Sequence, residues 1–157
     1  MTDLSRRAAL KSAGAGSLLA AALAAGLLRP STARAEWNKS AFESKTVGDA
    51  LKSLRVSAPV ETKDIAIRAP EIAENGAVVP IEIQSAVPGT KSIAVLIEKN
   101  PFPYAGSFDV SQGAMPFVAL RVKMGESSNV RVVVAAADGR FYTAVKEVKV
   151  TIGGCGG

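Results

Sequence analysis

One side chain in this sequence stands out as a nucleophile. Cys155 is the only cysteine, and it sits in Gly153-Gly154-Cys155-Gly156-Gly157 at the carboxyl end. Glycine has no Cβ and is costly to order, so four glycines around a thiol predict a flexible arm, not a helix or strand. Fully extended, these five residues reach roughly 17 Å. A thiol on such a tether can carry a group covalently and offer it to another protein's pocket. Two other readings stand beside that one. A buried structural cysteine is inert, but glycines build no apolar cage around it. An odd cysteine can also join two chains by a disulfide, and this remains open at the level of the residues. A free thiol titrates near pH 8.5 unless cations or a helix end stabilise the thiolate. The tail holds neither, so activation must come from a partner.

The rest of the composition removes competing chemistry. The chain has no histidine, which excludes Ser-His-Asp and Cys-His catalysis and histidine metal sites. A single cysteine excludes a thiolate zinc cluster and any intramolecular disulfide. The carboxylates are scattered along alternating strands, where a charge is usually a solvated face. No phosphate-cradling loop is present, because no helix follows Gly153 and Gly154. Prenylation needs its cysteine fourth from the end, and Cys155 is third. The residues therefore point to no enzyme, no metal and no cofactor.

Charge is concentrated at the amino end. Of the net +5, residues 1–35 contribute +4, from Arg6, Arg7, Lys11, Arg29 and Arg34 against Asp3. The remaining 14 basic and 13 acidic side chains leave +1, too little for a nucleic-acid footprint. Ser5-Arg6-Arg7-Ala8-Ala9-Leu10-Lys11 resembles the twin-arginine export motif, with Ala9 where an aromatic is commonest. A weakly apolar stretch to Leu28 follows, then Ala33-Arg34-Ala35, a small-x-small cleavage site. At 17 residues, Ser12 to Leu28 is short for a membrane span of about 20. The expectation is a signal peptide over 1–35, cleavage after Ala35, export to the periplasm and no membrane anchor.

The elements that must position the thiol lie between 36 and 152. Phe42, Val47, Ala50, Leu51 and Leu54 recur at near-helical spacing, predicting helix from Trp37 to Leu54. Thr46 is a candidate second N-cap that splits it in two. Trp37 and Phe42 are expected to dock on the body. From Ile65 the period changes to two. Ile65/Ile67, Val79/Ile81/Ile83, Ile93/Val95/Ile97, Phe108/Val110 and Val118/Leu120/Val122 each share a strand face. Asn75-Gly76 and Val87-Pro88-Gly89-Thr90 supply turns, and Gly125 to Asn129 reads as a polar turn. Val130–Ala137 and Arg140–Ile152 form a hairpin about Asp138-Gly139. In its second strand Phe141 and Val145 share one parity, and Val148, Val150 and Ile152 the other. That change predicts a β-bulge near Lys146-Glu147. The fold class is all-β: an immunoglobulin-like antiparallel β-sandwich of about seven strands, with short amino-terminal helices and a glycine arm over 153–157.

The terminal Gly153-Gly154-Cys155-Gly156-Gly157, closing an exported β-rich domain, resembles the SoxY family of sulfur carriers in bacterial thiosulfate oxidation. Glu147-Val148-Lys149-Val150-Thr151-Ile152 leading into the arm is similar to that family. So are Ala73-Glu74-Asn75-Gly76-Ala77-Val78-Val79-Pro80 and Arg121-Val122-Lys123-Met124-Gly125. The resemblance implies a carrier and not an enzyme, with sulfur intermediates held covalently on Cys155 and the four glycines giving a slim arm. It implies a heterodimer with a small SoxZ-like partner. It further implies three enzymes acting in turn: a c-type haem protein that couples thiosulfate to the thiol, a manganese-dependent hydrolase that releases sulfate, and a sulfane dehydrogenase. Two rivals carry different expectations. A ubiquitin-like sulfur carrier ending in Gly-Gly uses its terminal carboxylate, activated with cytoplasmic ATP, which an export leader argues against. A structural or adhesive sandwich uses its lone cysteine only for intermolecular disulfides.

Overall fold

Alternating apolar residues need two sheets to cover them. The computed structural model of the protein describes residues 38–152. Two short helices come first, α1 (Lys39–Phe42) and α2 (Val47–Ser53). Each starts on a capping side chain. Asn38 Oδ1 accepts from the Ala41 amide at 3.1 Å, and Thr46 Oγ1 accepts from the Asp49 amide at 3.1 Å. These caps satisfy N–H groups that the first helical turn leaves without partners. The break expected at Thr46 is thus observed, whereas Trp37 lies outside the described residues.

The strands follow as β1 (Val60–Glu61), β2 (Ile65–Arg68), β3 (Ile72–Ala73), β4 (Val79–Ser85) and β5 (Thr90–Ile97). The rest are β6 (Tyr104–Asp109), β7 (Phe117–Val122), β8 (Ser128–Ala136) and β9 (Phe141–Val150). One sheet has the order β1-β9-β8-β5-β6, with β3 also on β9; the other has the order β2-β4-β7. The seven strands of four or more residues pair antiparallel. The two-residue strands β1 and β3 are additions, and both pair parallel with β9.

The core lies between the sheets. Val79, Ile81 and Ile83 of β4 point inward while Pro80, Glu82 and Gln84 face out. They pack in one cluster with Ile93, Val95 and Ile97 of β5, Val130, Val132 and Val134 of β8, and Val148 of β9. Each such side chain contributes about 1.5–3 kcal/mol by leaving water. The larger sheet is covered on its other face too. Ala94 and Leu96 of β5 and Val133 of β8 join Tyr104 and the helical Ala41 and Ala50 in a second cluster. The Phe42 ring lies 4.6 Å from that of Tyr104, tilted by 59°. The helices therefore dock on the sandwich, as the apolar stripe predicts.

That second layer corrects one expectation. There is no bulge at Lys146-Glu147: the β8–β9 register runs unbroken from Ala135↔Phe141 to Ser128↔Val148. Phe141 and Thr143 face the helical side, and Tyr142, Ala144, Val148 and Val150 face the main core. Val145 continues the Phe141 face past the helical cover and is left 40 % exposed. An apolar residue on each parity reflects two covered faces, not an extra residue. Register shifts occur instead on β5, between Val95 and Leu96 opposite β6 and between Thr90 and Ser92 opposite β8.

The turns at Asn75-Gly76 and Pro88-Gly89 are present but make no hairpins, because each passes the chain from the larger sheet to the smaller or back. Gly89 has φ +65°, which type II geometry requires and only glycine adopts freely. A Cβ there would lie 2.7 Å from the Ala137 Cβ. Gly89→Ala is therefore expected to destabilise the protein by about 1–3 kcal/mol, read as a lower urea midpoint. An unchanged midpoint would contradict the turn geometry.

Candidate functional site

The sequence places its chemistry on Cys155, Gly153, Gly154, Gly156 and Gly157, and its export signal on Arg6 and Arg7. All seven, with the whole 1–35 segment, lie outside the described residues. The described chain runs to Ile152, three residues before Cys155.

β9 is long because its turn and its register both favour it. Gly139 takes φ +80° in the turn, and eight residue pairs then join β9 to β8. Its other edge is covered at both ends. β1 covers the start through Val60↔Tyr142 and Glu61↔Thr143, and β3 covers the end through Ile72↔Lys149 and Ala73↔Val150. A sheet edge left open would present unpaired N–H and C=O groups.

Beyond Val148 the partner strand β8 has ended, and side chains take over. The Val150 amide donates to Ser127 Oγ at 2.9 Å, and the same hydroxyl donates to the Val150 carbonyl at 3.4 Å. On the opposite edge the Lys149 amide donates to the Glu71 carbonyl at 2.9 Å, and the Thr151 amide to the Ala73 carbonyl at 3.1 Å. Thr151 Oγ1 donates to the Glu74 carbonyl at 3.0 Å. The Gly76 amide donates to the Ile152 carbonyl at 2.8 Å. The 73–76 turn is itself anchored across the sandwich, since the amide of fully buried Met124 donates to the Gly76 carbonyl at 2.7 Å. The chain is thus held as far as Val150 on the β8 side and as far as Ile152 on the other.

Around the end of β9 the surface is mixed. Glu71, Ile72, Lys146, Glu147 and Lys149 line a shallow groove beside β9. Its two lysines and two glutamates balance. Ile72 and Ile152 are largely exposed. Among the described residues no group of three or more His, Cys, Asp or Glu is placed to hold a metal ion. Among them, too, no helix is long and apolar enough to cross a membrane. The perturbed carboxyl lies at the far end of β9. The Arg140 amide and guanidinium, donating to Asp138 at 2.9 and 2.7 Å, hold its carboxyl below the usual range. Ten residues of strand separate it from that end, roughly 33 Å at the usual rise. It is a turn device and takes no part there.

Sequence reasoning offers the glycine-flanked thiol and misses the bonds that hold the strand leading to it. Asn75-Gly76 is readable as a turn, but nothing local says that it grips residue 152. Ser127 lies in a stretch readable only as polar turn.

A two-layer β-sandwich whose last strand is pinned to its end and then continues into a glycine-flanked thiol has the make-up of a carrier protein. Residues 51–155 match the family model described as sulfur oxidation protein SoxY. The sulfur carrier protein SoxY from Chlorobium limicola f thiosulfatophilum has a solved structure that is 44 % identical, with TM-score 0.62. The match covers 68 % of this chain and 97 % of that one. The chain belongs to the SoxY family of carrier proteins. A superoxide reductase (neelaredoxin) from Ignicoccus hospitalis is 20 % identical, with TM-score 0.49, over 57 % of this chain and 81 % of that one. No curated protein matches the sequence.

Proposed function

We propose that the protein is a periplasmic sulfur carrier that holds thiosulfate-derived intermediates on Cys155 and presents them to partner enzymes. The observation that carries the reading is that the family match extends through Cys155, the only thiol of the chain. In this reading residues 1–35 are a twin-arginine leader read through Arg6 and Arg7, and cleavage follows Ala35. Residues 153–157 are the arm, with Gly153, Gly154, Gly156 and Gly157 keeping it thin enough for narrow channels. A SoxZ-like subunit pairs with the body.

The chemistry follows from the thiol. Cysteine thiolate and thiosulfate couple to Cys–S–S–SO3⁻, and a c-type haem partner accepts the two electrons released. A manganese-dependent hydrolase then adds water across the terminal S–S bond. Hydrogen sulfate leaves, and a persulfide remains on Cys155. A sulfane dehydrogenase oxidises that remaining sulfur. This chain supplies the nucleophile and the reach, and its partners supply activation. Tethering keeps each intermediate at high local concentration between steps.

Intact mass of the native protein from cells oxidising thiosulfate tests the reading. Additions at Cys155 matching sulfane or thiosulfate, removed by reductant, are expected. A thiol that stays unmodified, or a terminal thiocarboxylate in its place, would overturn it.

A further inference from the structure

Of the asparagines in the chain, Asn38, Asn75, Asn100 and Asn129, only Asn75 precedes a glycine. That pair is chemically labile in an unstructured chain. The backbone nitrogen of the second residue attacks the side-chain amide carbon of the first, and glycine has no side chain to hinder it. Asn75 is exposed. The Ala77 amide donates to its Oδ1 at 2.8 Å, which folds the side chain back over the next peptide. The electrophile is thus close to the chain and open to water. The nucleophile is not free. The Gly76 amide donates to the Ile152 carbonyl at 2.8 Å, and the Gly76 carbonyl accepts from the amide of fully buried Met124 at 2.7 Å. Both peptide planes that meet at buried Gly76 are therefore held. Ring closure needs the Gly76 nitrogen to lose its proton and turn toward Asn75 Cγ. Its proton lies instead on a carbonyl oxygen, whose lone pairs would repel the anion left by deprotonation.

We propose that Asn75 is a deamidation site masked by the end of β9. The mask is made of backbone groups, the Gly76–Ile152 bond and beside it the Thr151 amide on the Ala73 carbonyl at 3.1 Å. When the strand end lifts from the 73–76 turn, the Gly76 nitrogen bonds to Asn75 Cγ and the bond from Cγ to the side-chain nitrogen breaks. The proton of the Gly76 amide leaves with that nitrogen as ammonia, and a succinimide remains. One water then opens the ring to aspartate or isoaspartate, with no change of oxidation state. Isoaspartate routes the backbone through the former side chain and adds a methylene between residues 75 and 76. Gly76 then cannot meet Ile152 and Met124 together, so a transient opening leaves a permanent mark. The opening does not require the core to unfold, because Val148 is the last fully buried residue of β9 and strand ends open at lower free energy than core strands.

The full-length protein is kept in warm, mildly alkaline buffer, either folded or unfolded in urea, and Asn75 is followed by peptide mapping with an isoaspartyl assay. The folded chain is expected to deamidate at least about tenfold more slowly, since attack waits on a local opening. Deuterium exchange at the Gly76 amide reports that opening independently. In sub-denaturing urea both rates should rise together, before the amides of fully buried Val95 and Val132 exchange faster. The isolated isoaspartyl form should lose protection at Gly76, while Asn75→Asp, which adds the same charge without the methylene, should keep it. Equal rates in folded and unfolded protein overturn the mask. A folded rate that follows core exchange and not Gly76 exchange overturns its assignment to the Ile152 bond. An isoaspartyl form as protected at Gly76 as Asn75→Asp overturns the permanent mark. None of these readouts involves Cys155, so they stand apart from the carrier reading.

Discussion

Cys155→Ser is expected to abolish sulfur carriage while leaving the body as stable as wild type. The hydroxyl of serine is not ionised at neutral pH and forms no persulfide or thiosulfonate, and no second cysteine can substitute. The effect should therefore be complete and not graded. Thiosulfate-dependent turnover in a reconstituted assay with the partner enzymes should fall to the level seen without carrier. The intact mass should show no reductant-labile addition. Stability should change by less than about 0.5 kcal/mol, because the buried clusters among the described residues are already complete within residues 41 to 148. The pairing of lost turnover with an unchanged unfolding curve assigns the loss to the sulfur atom. Appreciable turnover by the serine variant would show that the carriage does not run through Cys155.

The largest stability effect is expected at the centre of the smaller sheet. Ile83 is fully buried on β4, paired with Ile67 of β2 and Val118 of β7, and faces the larger sheet. Ile83→Ala removes three carbons from a site walled by both sheets, where neighbours cannot collapse without shifting a strand. The expected cost is about 2–5 kcal/mol, a large share of the roughly 5–15 kcal/mol that holds a domain of ordinary stability. Glu82 is its neighbour on the same strand but points outward, with only a 3.9 Å contact to Arg68 between two well-exposed side chains. Glu82→Ala should cost less than about 1 kcal/mol. Urea titration of the two variants measures the contrast between adjacent residues that alternation assigns to opposite faces. Equal losses would contradict that assignment.

The elements readable in advance are those in which a local signal and the tertiary context agree. Val79, Ile81 and Ile83 alternate with polar residues, and one side of β4 is indeed covered while the other meets solvent. Asp138-Gly139 calls for a tight turn, and an antiparallel partner of matching apolar character lies on each side of it. Thr46 calls for an N-cap and serves as one. β5 and β8 are harder, because both faces are buried and a continuous apolar run says nothing about what covers each side. The bulge expected at Lys146-Glu147 fails for that reason. A change of parity along β9 predicts an extra residue, whereas the helices cover a second face and leave apolar residues on both parities without one.

By itself the sequence offers one candidate nucleophile, a unique thiol among four glycines in a chain without histidine, because that reading depends on residue type alone. It also determined most strands, since a period of two is a property of consecutive residues. The tertiary structure alone decided how the end of β9 is held. β1 and β3 are two residues each, too short to show any period, and they exist only because the edge of β9 offers them hydrogen bonds. Ser127 and Thr151 are ordinary polar residues until distant carbonyls and amides, up to 77 positions away in the chain, come within 3.0 Å of their hydroxyls. Such bonds are specified by the folded arrangement and not by any local pattern. For this reason the thiol is legible in the sequence and the bonds that hold residues 149–152 are not.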